Sequence, residues 1–365
     1  MIPIYQPYLP KESIEYAQEA LNSGWISSRG KYVQLATDKL SDYIASDYVI
    51  LTNSGTAATH MVTRCLKKFH PEVKRILVPS ACYVAPYNVI EYDNNNWNVC
   101  AIDLNEFTWN MDIDNYSIRD GDAIFVVHNL GNIVNVPELK RKHNCPIIED
   151  NCEGFFGGYD KYASGTESLC SALSFFGNKN VTTGEGGAFV TRDKDVYDYA
   201  NHIHNQAQTE ERYVHDDVGY NYRMTNIQAA LLLGQLENYD YILENKMRVF
   251  ERYSNNLKDV EGINLQEKEE NTEHSMWMFG VRFHNTVGYD RAKRFFDERG
   301  IDTRPMFYSF KKHSHLKHIR GMDQVADTIN KSVVVFPSYP TLLNRDIDFI
   351  CSAIKEFSEI LDVYN

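Results

Sequence analysis

The densest chemistry in the sequence is Ser174-Phe-Phe-Gly-Asn-Lys179-Asn-Val-Thr-Thr-Gly184-Glu-Gly-Gly187, where an apolar run breaks into a polar turn carrying one lysine and closes on glycines. Small residues let another molecule approach the backbone. A lysine amine attacks carbonyl groups when a dry or cationic setting favours its neutral form, and the end of a strand in an α/β sheet offers such a setting. Alone, Lys179 reads more readily as a solvated surface charge, since burying a lysine is costly. Three other segments change that reading, because an aldehyde cofactor with a phosphate and a pyridine nitrogen needs a different partner at each end. Thr52-Asn-Ser-Gly55-Thr56 lies between strand-like and helix-like stretches, where backbone N–H groups and hydroxyls hold a phosphate; its bland alternative is a capped helix. Ile147-Ile-Glu-Asp150 ends an apolar strand in carboxylates, and Asp150 suits a protonated pyridine nitrogen, or else an N-cap or a solvated strand end. Ala81-Cys-Tyr83-Val-Ala places an aromatic ring where it could lie flat on a cofactor, though Tyr83 alone would be assigned to the core.

The elements that must position these groups follow from periodicity. Helical spacing runs over 11–22, 56–68 and 82–91, separated by strand-like 48–51 and 75–78. Strand-like 123–127 and 146–148 flank a helical stretch at 136–143, and further strands are expected at 171–176 and 188–190. Alternating strands and helices imply an α/β fold with a mainly parallel sheet, and open sheets of that kind bind ligands at the carboxyl ends of their strands. One long helix is expected over 225–257. Beyond it, strand-like 278–283 and 332–336 with helical 289–299 and 345–361 suffice for a smaller α+β module.

Composition bounds the partners. The 365 residues, 43% of them apolar, can bury a large core. A net charge of −13 without long like-charge blocks argues against a nucleic-acid backbone as partner. No apolar stretch is long enough to span a membrane, and the start Met1-Ile-Pro-Ile-Tyr5 has no signal-peptide pattern. Seven scattered cysteines without zinc spacing read as reduced thiols of a cytoplasmic protein. His313, His315 and His318 lie among lysines with no carboxylate close in sequence, so no metal site is expected.

Six segments, Ile2–Pro7, Trp25–Tyr32, Ser174–Lys179, Thr182–Gly187, Gly219–Asn226 and Thr303–Tyr308, resemble in order those of the DegT/DnrJ/EryC1/StrS family of sugar aminotransferases. The resemblance covers nearly the whole chain. It implies a fold type I pyridoxal-5′-phosphate transferase, similar to aspartate aminotransferase, with a large cofactor domain over 1–245 and a small C-terminal domain over 246–365. It implies Lys179 as the Schiff-base lysine, Asp150 on the pyridine nitrogen, Tyr83 stacked on the ring, and Gly55, Thr56 and Ser174 around the phosphate. Glu153 matches a position beside the cofactor ring. Asn221 would reach the phosphate in a neighbouring subunit, which makes a homodimer the expected unit. Lys179 stands where the related sugar 3-dehydratases carry histidine, which argues for amino transfer. The implied reaction takes the amino group of L-glutamate, through pyridoxamine 5′-phosphate, to the C4 ketone of a nucleotide-linked 4-keto-6-deoxyhexose, giving a 4-amino-4,6-dideoxy sugar of the GDP-perosamine type. Arg29, Lys31, Arg304 and Lys311 are candidates for the substrate diphosphate, each with a solvated role as its alternative. The sequence departs from the family's pattern at Val127-His-Asn-Leu-Gly-Asn132, at Cys152 and Gly154, and at Ser309-Phe310-Lys311. The nucleotide therefore stays open among GDP, UDP and dTDP. A dehydratase on the same cofactor and a non-catalytic cofactor-binding regulator remain the other readings.

Overall fold

The computed structural model describes residues 1–94 and 96–363. In chain order its strands are Tyr48–Thr52 (β1), Arg75–Pro79 (β2), Asn98–Ile102 (β3), Asp122–Val127 (β4), Ile147–Asp150 (β5), Gly158–Tyr159 (β6), Tyr162–Ala163 (β7), Ser171–Ser174 (β8), Gly187–Thr191 (β9), Ile263–Leu265 (β10), Thr272–Glu273 (β11), Phe279–Phe283 (β12), Arg304–Pro305 (β13), Arg320–Gly321 (β14) and Val333–Phe336 (β15). Among the described residues eight of them form one sheet in the order β1-β9-β8-β5-β4-β2-β3-β14. β9 runs antiparallel to β1 and β8, and the remaining pairings are parallel. Each residue of β4, β5, β8 and β9 is buried. That burial on both faces explains why their sequences read as apolar runs rather than as alternation.

β2 has β3 on one side and β4 on the other, so the direction of winding reverses there. A crevice opens beside such a reversal, at the carboxyl ends of the strands. The helix Gly55–Phe69 covers one face of the sheet, with Ala58, Met61, Val62, Cys65 and Leu66 in a core shared with Ile148, Ala172 and Phe189. Its first turn is capped by the Ser54 side chain, which accepts the Ala57 N–H at 3.1 Å. Lys67 and Lys68 in its last turn complement the dipole.

The expected long helix over 225–257 is two helices, Asn226–Glu237 and Tyr239–Leu257. They meet at Asn238 (φ −104°, ψ 21°), whose amide donates to the Gly234 carbonyl at 2.9 Å and so competes with helix continuation. Two roles explain the break. The first helix is apolar nearly all round and is sandwiched by the helices Lys11–Ser23 and Lys31–Ile44, while the second keeps one apolar stripe for a different core. The helices Lys31–Ile44 and Lys194–His204 had not been anticipated from periodicity.

That other core lies on a four-stranded antiparallel sheet, β10-β12-β15-β13. Tyr253, Phe279, Phe283, Phe296, Phe336 and Phe357 fill it, with Tyr253 stacked on Phe279 at 4.5 Å. Residues 245 and 246 fall within the helix Tyr239–Leu257, and the chain crosses between the two sheets at several points. Ile2 bridges Ile301 beside the small sheet, and β14 adds an edge to the large one. Among the described residues no helix is long and apolar enough to cross a membrane.

Candidate active site

The carboxyl ends of the large sheet and one edge of the small sheet enclose a cavity of 470 Å³. Its polar groups come from the ends of strands. Asp150 ends β5, Ser174 ends β8, Lys179 sits in the turn after β8, and Ser54, Gly55 and Thr56 form the start of the helix that follows β1. Glu153, Tyr83 and Arg304 complete the set of expected residues lining this space.

Gly55 allows the helix end to approach β8. A Cβ at this position would meet Ser174 Cβ at 2.7 Å and Cys152 Sγ at 3.2 Å. Ser54 already caps Ala57, so the N–H groups of Gly55 and Thr56 belong to the orphan donors of the first turn, beside the Ser174 hydroxyl. Such a corner receives a phosphate.

The Lys179 turn is held by main-chain bonds, its N–H donating to Phe176 O at 2.9 Å and its carbonyl accepting the Tyr5 hydroxyl at 2.7 Å. The glycines that follow permit the return strand to begin beside it. Gly186 has φ 151°, and a Cβ there would meet Thr183 Oγ1 at 2.4 Å. Gln228, part of the capping box of the helix Asn226–Glu237, donates to Glu185 O at 2.7 Å and fixes the same loop.

Two buried carboxylates face the cavity, and among the described residues neither makes an ion pair with a lysine or arginine. Burial pushes Asp150 above the ordinary carboxyl range, opposed by the hydrogen bond from the Cys152 N–H (3.0 Å) and by the Lys179 charge. Burial likewise pushes Glu153 up to about 7, with Lys179 opposing; its Oε2 accepts the Leu130 N–H at 2.8 Å. A pyridine ring carrying a proton on nitrogen would supply Asp150 with the cation that the chain itself does not. With the donor-lined corner at Gly55 and Ser174, the donor set fits pyridoxal phosphate. Behind Asp150, His128 and Glu149 form a buried pair at 3.0 Å. The Val134 N–H donates to His128 Nδ1, which leaves Nε2 as the donor to Glu149.

Tyr83 is 59% exposed to the cavity side, with its ring edge-on to Phe307 at 6.4 Å. Arg304 lines the cavity while bonded to Asp302 and Thr303 O. The other expected cations lie elsewhere in the protomer. Arg29 and Lys31 line a separate hollow with Trp25 and Asn226, where Lys31 pairs with Glu19. Lys311 is tied to Asp323, which also binds Ser309. Asn221 is exposed and does not line the cavity of its own protomer; its carbonyl accepts Asn53 Nδ2 at 3.2 Å, and its neighbours Tyr220 and Tyr222 turn inward to Asp93 and His60. His315 bonds Asn88 and His318 bonds Glu91; among the described residues no three or more His, Cys, Asp or Glu side chains could hold a metal.

Sequence reasoning missed the apolar wall. Leu130, Trp277, Met278, Phe307 and Val335 line the cavity, four of them from the C-terminal half. Leu130 and Phe307 fall in segments that the sequence singles out, whereas for Trp277, Met278 and Val335 only the meeting of the two sheets shows a place in the cavity wall.

The DegT/DnrJ/EryC1/StrS aminotransferase family model matches residues 7–355. The GDP-perosamine synthase of Escherichia coli O157:H7 is 33% identical over 98% of this chain and 98% of its own length. That of Vibrio cholerae is 29% identical over 98% of this chain and 99% of its own. Among solved structures, an aminotransferase from Streptoalloteichus hindustanus superposes with a TM-score of 0.90 at 20% identity, covering 99% of this chain and 100% of that one. The E. coli GDP-4-keto-6-deoxy-D-mannose-3-dehydratase with bound hydrated pyridoxal phosphate gives 0.89 at 21%, over 97% and 99%. The chain belongs to the DegT/DnrJ/EryC1/StrS aminotransferase family, has the type I fold of pyridoxal-phosphate enzymes, and is an aminotransferase that depends on that cofactor.

Proposed function

We propose that this DegT/DnrJ/EryC1/StrS enzyme carries an amino group from L-glutamate to the C4 ketone of a GDP-linked 4-keto-6-deoxyhexose, with Lys179 as the lysine that bonds the cofactor. The observation carrying this reading is the convergence of Lys179, Asp150 and the helix end at Gly55 on one 470 Å³ cavity. The full-length similarity to GDP-perosamine synthases supports GDP as the nucleotide.

When bound, pyridoxal phosphate supplies an aldehyde carbon and a ring that withdraws electrons from the bond to be broken at the amino acid's Cα. The chain's part is to hold that ring and to move protons. The N–H groups of Gly55 and Thr56 and the Ser174 hydroxyl bind the phosphate. Asp150 keeps a proton on the ring nitrogen, since a buried carboxylate without a partner gains most from a cation there. Tyr83 lines the same space and would help to orient the ring. Glu153 lies near Asp150 and, with burial pushing its carboxyl up to about 7, would be able to give or take a proton beside a bound ring. The Lys179 amine would hold the cofactor covalently and, when free of it, would be placed to move a proton at the amino acid's Cα. Arg304 is placed to meet a diphosphate or a carboxylate. The exposed Asn221 completes the phosphate site of a second copy, so the working unit is a homodimer. The apolar wall of Leu130, Met278 and Val335 suits a sugar lacking its C6 hydroxyl.

The test is to load the protein with cofactor and L-glutamate and to offer GDP-, UDP- and dTDP-linked 4-keto-6-deoxyhexoses, weighing the products. Conversion of the GDP sugar to the amine at the highest kcat/KM is expected. A product that has lost water at C3 and gained no nitrogen would replace this reading with a dehydratase.

A further inference from the structure

Lys179 has an unusual neighbour. Its Nζ lies 3.8 Å from the centroid of the Trp277 ring, and among the described residues it makes no ion pair or side-chain hydrogen bond. Trp277 is 6% exposed and its Nε1 donates at 2.9 Å to the carbonyl of Asn178, the residue before the lysine. One indole thus touches both the main chain and the amine of the Lys179 turn.

The far side of Trp277 is fixed by a lysine with an unusual setting of its own. Lys246 is fully buried, and among the described residues it has no carboxylate partner. It donates to Trp277 O at 2.9 Å and also to Ser338 O, while the Ser338 hydroxyl donates to Trp277 O at 3.2 Å. Burial pushes its amine well below the ordinary lysine range, and a neutral amine has two N–H groups for these two carbonyls. The same Lys246 lies 5.7 Å from the ring of Tyr5, whose hydroxyl holds the Lys179 carbonyl.

We propose that Trp277 is a positioning residue for Lys179, its indole face receiving the amine whenever that amine is free of the cofactor, with Lys246 and Tyr5 fixing the backbones on either side. This rests on reading Lys179 as the cofactor lysine. Between the steps in which it bonds the cofactor, a lysine on a four-carbon flexible stem would wander, and each lost orientation slows the next encounter. A carboxylate would hold it too strongly and would compete for its proton. An aromatic face attracts the ammonium, cannot accept a proton, and is weak enough to release it.

Two variants separate the ring face from simple volume, Trp277→Phe keeping a face and Trp277→Leu removing it. In cofactor-free protein labelled with 13C-lysine, with the signal assigned through Lys179→Ala, the Lys179 side-chain resonances should lie upfield through the ring current. They should stay upfield in Trp277→Phe and return to the ordinary position in Trp277→Leu. In single-turnover reaction with L-glutamate, Trp277→Leu should be slower by roughly 3- to 30-fold, the range a cation held on a ring accounts for. The primary isotope effect with 2-deuterated glutamate should rise, and cofactor affinity should change little; a merely structural role would not raise the isotope effect. Ordinary Lys179 resonances in the unaltered protein, or an unchanged half-reaction in Trp277→Leu, would overturn the proposal. If Lys179→Ala still bonded the cofactor covalently, the reading of Lys179 would fail while the ring-current result stood by itself.

Discussion

Replacing Gly55 by alanine tests the cofactor corner at its tightest point. The new Cβ would lie 2.7 Å from Ser174 Cβ and 2.9 Å from Ser174 Oγ. Carbon atoms rest about 3.5–4.0 Å apart, so the overlap is near 1 Å. Ser174 is buried in β8, paired to β9 along its length, and its Cβ cannot swing away. The helix end must therefore retreat from the sheet. Such overpacking costs about 1–3 kcal/mol, offset by the roughly 0.5–1 kcal/mol that alanine ordinarily gains over glycine in a helix. The net is a modest fall in melting temperature and a displaced pair of phosphate donors. Losing one such charge-assisted bond costs about 1.5–3 kcal/mol, so pyridoxal phosphate should bind more weakly by about 10- to 100-fold. Titrating cofactor-free protein and following absorbance measures this directly. Ser174→Gly removes the opposing Cβ, so the loss of stability caused by Gly55→Ala should shrink in that background. If Gly55→Ala binds the cofactor and melts like the unaltered protein, the close approach and the phosphate corner built on it are both wrong.

Asp150→Asn should leave the fold intact and slow the glutamate half-reaction by about 10- to 100-fold, the loss of one charge-assisted bond to the ring nitrogen; rapid-mixing absorbance measures it. Glu153 is pushed up to about 7, so the folded cofactor-free protein binds a proton that the unfolded chain has released between about pH 4.5 and 7. Its burial therefore costs stability increasingly as pH rises through that window, by about 3–4 kcal/mol at most, and the melting temperature of Glu153→Gln should gain on the unaltered protein from pH 5 to 8. Lys246 is pushed the other way, so the unfolded chain binds the extra proton up to about pH 10.5. The unaltered protein should accordingly gain in melting temperature on Lys246→Met as pH rises from about 7 to 9.5, and a flat difference would contradict a neutral buried amine.

Much of the fold was legible because its signals are local. The strands 48–51, 75–78 and 123–127 and the helix 56–68 stand within a residue or two of their structural counterparts. The helix expected from residue 82 starts instead at Ala85, since Cys82 and Tyr83 serve as the turn between the end of β2 and the cavity. The break at Asn238 was hidden because apolar residues continue across it, and only the change of core makes it necessary. The helix Lys31–Ile44 escaped because Gly30 gives it no side-chain cap. In the cavity, the strand-end residues could be picked out because punctuation follows each strand. Trp277 could not, since it arrives from the loop before β12, distant in sequence, and looks like any buried aromatic. Charge alone misleads about cations: Lys311 and Arg304 are equally basic in sequence and each pairs with an aspartate, Asp323 and Asp302, yet of the two only Arg304 lines the cavity.

The most direct test of the central claim is to reduce the cofactor-loaded protein with borohydride, digest it, and locate the pyridoxyl group by mass. The structure predicts a single modified peptide bearing the group on Lys179, absent in Lys179→Ala and absent when L-glutamate is added first. A pyridoxyl group on another lysine, or none in protein that binds the cofactor stoichiometrically, would contradict it.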